Sequence, residues 1–308
     1  MDFEPNEDQR AIGDAIDALL TQHAGAARAI ELARTDAYDD ALELRLRDAG
    51  FLDLALGSET GLLEATSLVE ATARAGGVAA IGAAALVAPA LLGRAVDAPI
   101  ALATADTRGP IRFGAQARTL LVLDGAAARV VALRLGEASA VRSSFGYPMG
   151  RVSADALRGG DSLGPGSGAR LAALWRLALA AEAVGSMRAA LDVTLDYVKR
   201  RRQFGRAIGS FQAVQHRLAE CFVGCEGARW LALEAAFGGA TPEACATAAT
   251  QALTAAGRVF EETHQLSGAM GYTREHDLHV FSMRLPALRF ELGGVGAHRR
   301  AVAAERWG

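Results

Sequence analysis

Apolar residues recur at helical spacing at both ends of the chain and at strand spacing between them. Residues 5–33 predict one helix, started at Pro5 or Asn6, with Ile12, Ile16, Leu19 and Leu20 on one face. A second amphipathic helix is expected over 38–49 (Leu42, Leu44, Leu46), stopped by Gly50, followed by a short apolar connection over 51–57. Two more are expected over 62–75 and 78–92, parted by Gly76 and Gly77; the latter is apolar nearly all round and so buried. Beyond Pro99 the period shortens. Segments 100–103, 111–113, 119–123 and 129–133 are separated by Asp-Gly and Gly-Pro turns, as short strands are. Gly159 to Gly168 has the composition of a flexible linker. The helical period then returns over 171–201, where Leu174, Leu177, Ala178, Ala181, Val184, Leu191 and Leu195 predict an apolar face. A further helix is expected from an N-cap at Ser210 to Phe237, and another from Thr241 (N-cap) and Pro242 to about Met270. A last pair covers 275–288 and 295–305. The fold class is mainly α: an N-terminal helical domain over 1–96, a small, reduced β-domain over 97–160 and a C-terminal four-helix bundle over 161–308.

Composition narrows the function. A net charge of −3 over 308 residues offers no global attraction for nucleic acid. The most apolar run, 78–92, is shorter than the roughly 20 residues of a membrane span and contains Pro89. The acidic start (Met1, Asp2, Phe3, Glu4) is unlike a leader peptide, so no membrane and a reducing cytoplasm are expected. Three cysteines form no disulfide framework. Cys221 and Cys225, four apart on a helix, lack further ligands to complete a metal site; small buried side chains are the expectation, and no metal is predicted.

The chemistry concentrates in 197–215. Arg200, Arg201 and Arg202 close one helix, where the dipole favours cations in any protein. The same stretch also holds what an anion site needs: guanidiniums that fork onto phosphate, Gly205 and Gly209 for close backbone approach, a helix start near Ser210, the amides of Gln203 and Gln212, and the flat ring of Phe204. Both readings stand on composition.

These residues, R-R-Q-F-G at 201–205 and I-G-S-F-Q at 208–212, together with Q-L-S-G-A-M-G-Y-T-R-E-H-D-L-H at 265–279, resemble the C-terminal helical domain of the acyl-CoA dehydrogenase superfamily. The resemblance is strong over 169–308, a matter of pattern in the N-terminal helices, and weak between. It implies FAD at a subunit interface, with Arg201, Gln203, Phe204 and Gln212 on its pyrophosphate and adenine end, joined by Gln265 and the backbone from Gly268 to Gly271. It implies an acyl-CoA substrate and α,β-dehydrogenation. The family's catalytic glutamate has no clear counterpart. One family location falls at Leu292 or Gly293, with Glu291 a weak candidate out of register by about 100° of helix rotation. The other falls at Trp175, which cannot act as a base. Glu182 is expected to be a paired group inside the bundle. The middle region also lacks the family's flavin-ring loop pattern. These departures resemble the subunit of an α2β2 heteromer that supplies ADP-side contacts to a full-length partner; a homo-oligomer, or a degenerate homologue serving as acyl-CoA binder or scaffold, is the alternative. His276 and His279 are expected in a structural network at the turn, and His216 and His264 as satisfied core or interface groups.

Overall fold

The computed structural model describes residues 4–58 and 60–308. Helix α1 (Glu7–His23) begins with a capping box. The Gln9 N–H donates to Asn6 Oδ1 at 2.8 Å, and the Asn6 N–H donates to Gln9 Oε1 at 3.0 Å. The single helix expected over 5–33 is two. Gly25, at φ 131, turns the chain before α2 (Ala26–Ala33), a backbone angle that only glycine adopts without strain. Asp39 caps α3 (Asp40–Asp48), which ends at left-handed Gly50; a 3-10 turn over Phe51–Leu56 then leads to α4 (Leu62–Arg74). The helix expected over 78–92 starts later. The Ala80 N–H donates to Tyr38 Oη and the Val78 carbonyl accepts from Asp39, so these backbone groups are already engaged. A π-helical segment (Gly82–Val87) and then α5 (Ala88–Leu92) follow, with Pro89 at the junction, and Ala83 to Ala88 are buried as expected.

Seven short strands follow: β1 (Ile100–Thr104), β2 (Ile111–Arg112), β3 (Thr119–Asp124), β4 (Ala127–Ala132), β5 (Ala138–Val141), β6 (Met149–Val152) and, after α6 (Ala154–Arg158), β7 (Asp161–Pro165). They form one sheet in the order β1-β3-β4-β7, with β1 and β3 parallel, and a second in the order β2-β6-β5. The glycine-rich stretch expected as a flexible linker contains β7, paired with β4 through Arg129 and Ser162, and runs into the helix that follows. Its glycines answer close contact instead. A Cβ on Gly160 would lie 2.2 Å from the Val130 carbonyl oxygen, and one on Gly168 would lie 2.5 Å from that of Gly125.

The bundle is built on α7 (Ser167–Arg200), α8 (Gln212–Phe237), α9 (Pro242–Ser267) and α12 (Gly294–Trp307), with the short α10 (Leu278–Ser282) and α11 (Arg284–Phe290) before the last. Between α7 and α8 lies the hairpin of β8 (Arg202–Gln203) and β9 (Arg206–Ala207). Leu174, Leu177 and Val184 are fully buried, while Leu195, expected on the same face, is 40% exposed because the buried positions at that level of α7 are Leu191, Thr194 and Val198. Thr241 caps α9 as expected, its Oγ1 accepting from the Ala244 N–H. Ser210 does not cap α8: its hydroxyl donates to the Ala207 carbonyl, and Phe211 occupies the cap position. Alanine-rich faces bring helices close, and Gly185 marks the tightest crossing. A Cβ there would sit 2.1 Å from the Glu70 carbonyl oxygen on α4. Thus the N-terminal helices and the bundle share one apolar core. Cys221, Cys225 and Cys245 are free and buried as small side chains, and burial pushes their thiols up to about 11, 12 and 12.

Candidate functional site

Two constellations sit at different levels of α7. The first is the exposed hairpin at its C-terminal end. Phe204 (φ 54) and Gly205 (φ 76) are the two loop residues, and their paired left-handed angles match the right-handed twist of a two-residue hairpin. Gly205 therefore serves the turn, with open space around it, whereas Gly209 serves packing: a Cβ there would lie 3.1 Å from the Val198 carbonyl oxygen. The Phe204 ring, 89% exposed, meets Phe211 edge-on at 6.1 Å, and the Arg206 guanidinium lies 4.0 Å over the Phe211 ring. Arg201, Arg202, Gln203 and Gln212 are exposed. Arg200 turns back to Asp196, its Nε donating to that carbonyl at 3.1 Å, as a dipole-matched helix end would. Among the described residues no carboxylate lies within ion-pair distance of Arg201 or Arg202.

The later segment stands apart from the hairpin. Gln265 is exposed near the end of α9, Gly268 (φ 57) closes that helix, and Gly271 is buried against the His264 carbonyl. No hydrogen bond joins 265–271 to 201–212 among the described residues. The neighbouring turn meets α7 through Tyr197 and His276, whose rings stack edge-on at 5.3 Å. His279 donates from Nδ1 to the His276 carbonyl at 2.9 Å, the network expected of this turn. His264 is buried and hydrogen-bonded to Ser282 at 3.0 Å, whereas His216, expected as a core or interface group, is exposed on α8 and so lies outside this chain's core. Among the described residues no cluster of His, Cys, Asp and Glu has the makings of a metal site, and no helix is long and apolar enough to cross a membrane.

The second constellation is buried, and sequence reasoning found it only in part. Glu182 is paired inside the fold as expected, but its partners come from the β-region. Arg112 on β2 donates to Glu182 Oε1 at 2.8 Å, and Tyr147 Oη–H donates to the same oxygen at 2.8 Å. Arg112 also forms an ion pair with Glu291, through Nε to Oε1. The Trp175 indole N–H donates to the other oxygen of Glu291, Oε2, at 2.6 Å. Burial works against the charge on Arg112, but the Glu182 and Glu291 carboxylates outweigh it and raise its pKa well above the usual value. Burial, then the Glu182 charge, raises the Tyr147 phenol likewise, so it stays a donor. Arg112 was missed. Its signal was a charge flanked by Ile111 and Phe113 in an apolar strand, a position that demands a partner. Arg112, Trp175 and Glu291 form the wall between a cavity of about 850 Å³, opening between the β-region and the bundle, and an inner void of about 30 Å³ under the π-helical segment. Arg142, Phe145 and Phe290 also line the outer cavity.

The family model of the acyl-CoA dehydrogenase C-terminal domain matches residues 170–306, which contain the hairpin, the later glycine turn and Glu291. The acyl-CoA dehydrogenase IpdE2 of Mycobacterium tuberculosis is 42% identical over 106 residues, covering 34% of this chain and 33% of that protein. Residues 170–306 belong to the acyl-CoA dehydrogenase superfamily. The chain's match spans only about a third of that curated relative's length. The acyl-CoA dehydrogenase fold runs through the whole chain. A chain of the Tcur3481-Tcur3483 steroid ACAD, as its G363A variant, superposes with a TM-score of 0.77 at 26% identity over 97% of each chain. One from the ChsE4-ChsE5 complex of Mycobacterium tuberculosis does so with a TM-score of 0.78 at 22% identity, over 99% of this chain and 98% of that one. Within this acyl-CoA dehydrogenase framework, Trp175 and the Glu291–Gly293 turn are hydrogen-bonded neighbours rather than separate positions.

Proposed function

We propose that this chain is one subunit of a heteromeric, FAD-dependent acyl-CoA dehydrogenase, contributing ADP-side contacts to a partner that carries the base and the flavin-ring loops. The reaction of the complex is α,β-dehydrogenation of an acyl-CoA thioester. One observation carries this reading: both oxygens of Glu291 are already engaged, one by Arg112 and the other by the Trp175 indole. A general base must reach the substrate proton with a free lone pair in line. Here Trp175 stands at one of the family's two base positions, and Glu291, the carboxylate adjacent to the other, is held in an ion pair. The names of the ChsE4-ChsE5 complex and of the Tcur3481-Tcur3483 steroid ACAD, each pairing two proteins, support a partner of the same kind.

The residues at the exposed end fit FAD and those at the buried end do not. The unpaired guanidiniums of Arg201 and Arg202 suit pyrophosphate oxygens, Gln203 and Gln212 offer amides, and Phe204 offers a flat face. Gln265, Gly268 and Gly271 form the second ADP-side segment. When bound, FAD supplies the hydride acceptor, and this chain's share is to hold its diphosphate end.

The test is flavin absorbance on two preparations. The chain purified alone is expected to be colourless and inactive, and co-expression with a full-length homologue to give a yellow, active complex. A yellow lone chain that oxidises an acyl-CoA would overturn the subunit reading and make Glu291→Gln the next measurement. Failure of both preparations to bind flavin would overturn the ADP-side assignment. The open 850 Å³ cavity beside the Glu291 cluster favours one further reading, an acyl-CoA-binding homologue without chemistry. Calorimetric binding of acyl-CoA in the absence of flavin would support it.

A further inference from the structure

A third cavity, of about 310 Å³, lies between α2, the 143–148 loop and α10, and contains none of the residues assigned above to flavin. Arg284 lines it and is 1% exposed. Its two terminal nitrogens donate to the carbonyls of Gly77 and Gly76 at 3.0 and 2.9 Å, and the Tyr147 ring lies 5.1 Å from its guanidinium carbon. Its Nε has no partner among the described residues. Gly146 packs beside that Nε and lines the same cavity, and the Nε itself is closed off from solvent. Among the described residues no carboxylate lies within ion-pair distance of Arg284, because the nearest acidic cluster is committed to Arg112. A buried cation without a counter-ion is costly in a protein interior.

Two further guanidiniums, Arg34 and Arg274, stand exposed on the same cavity, without a carboxylate partner among the described residues, and the Ser143 and Ser144 hydroxyls add hydrogen-bonding groups. Among the described residues Asp36 is the one acidic residue on the lining. Three guanidiniums and one carboxylate leave a surplus of two positive charges. Ala29, Ile30, Val78 and Val280 add apolar wall, and His279 and Tyr147 also line the cavity.

We propose that this cavity binds an organic phosphate monoester, its dianionic head between Arg34, Arg274 and the buried Arg284, and a compact apolar body against α2 and α10. The head balances the two surplus charges, and the volume is that of a small-molecule pocket. The site is independent of the flavin reading and stands or falls separately from it.

Phenyl phosphate is the probe, titrated calorimetrically into the full chain, with inorganic phosphate, benzoate and phenol as comparisons. Saturable binding of phenyl phosphate is expected, tighter than that of the other three. Arg34→Ala and Arg274→Ala, both at exposed positions and compatible with folding, are each expected to weaken it by about tenfold or more. Asp36→Asn is expected to tighten it, an effect that loss of structure would not produce. The proposal is overturned if phenyl phosphate does not saturate, or if both arginine variants bind as the parent chain does. Benzoate binding equally well would overturn the dianionic head, and inorganic phosphate binding equally well would overturn the organic body.

Discussion

Helix α7 carries two polar sites of opposite construction. Beyond its C-terminus, Arg201, Gln203 and Phe204 stand in solvent on a hairpin, with their polar groups unspent. Along its buried face, Trp175 and Glu182 enter a cluster with Arg112, Tyr147 and Glu291 in which both oxygens of Glu291 and Oε1 of Glu182 have partners. Polar groups left open on a surface are available to something outside the chain, whereas polar groups closed on one another inside a fold serve the fold. One helix thus separates what this chain offers to others from what it keeps for its own stability.

That contrast breaks most readily at Arg112. Arg112→Ala leaves Glu182 and Glu291 buried without their cation and is expected to cost about 3–5 kcal/mol in urea unfolding. The triple replacement of Arg112, Glu182 and Glu291 by leucine is expected to recover most of that loss. Next comes a pH effect at the same end. His298 on α12 is fully buried, and burial, with Arg176 adding to it, pushes its pKa down to about 4. The unfolded chain takes up this proton near pH 6.5 and the folded chain only near pH 4. Stability attributable to His298 is therefore whole above pH 6.5, falls as the pH drops through that window, and is lower by about 3 kcal/mol below pH 4. Urea midpoints at pH 4.5, 5.5 and 7 are expected to show this slope, and His298→Phe to flatten it.

Trp175→Phe removes the indole donor to Glu291 while keeping an aromatic ring, and is expected to cost about 1.5–3 kcal/mol, read by the same unfolding assay. The smallest stability effect belongs to the exposed end. Arg201→Ala is expected to change stability by less than about 0.5 kcal/mol, yet to lower flavin retention in the co-expressed complex by about tenfold or more on dialysis. A large stability loss at Arg201, or none at Arg112, would reverse the contrast.

The two ends also differed in how far the sequence reveals them. The hairpin is local: its cations, turn residues and following helix lie within a dozen positions, so its pattern was legible, as were the capping signals at Asn6 and Thr241. The cluster is not local. Arg112 meets Glu182 across 70 positions and Glu291 across 179, a pairing set by how the β-region docks on the bundle. Glycine misled for a related reason. At 159–168 its abundance suggested freedom, but Gly160 and Gly168 are there because backbones touch, and composition alone cannot separate the two causes. Gly25 misled in the opposite direction, a single residue that breaks a helix whose apolar period continues across it.

Because Phe204 and Gly205 already hold left-handed backbone angles, the chain meets the entropy of fixing that tip when it folds, not when something docks on it. A loose loop would give up roughly 1–2 kcal/mol per ordered residue at the moment of association. The hairpin is spared that loss, so encounter with a partner surface need not wait on a search for the right loop shape.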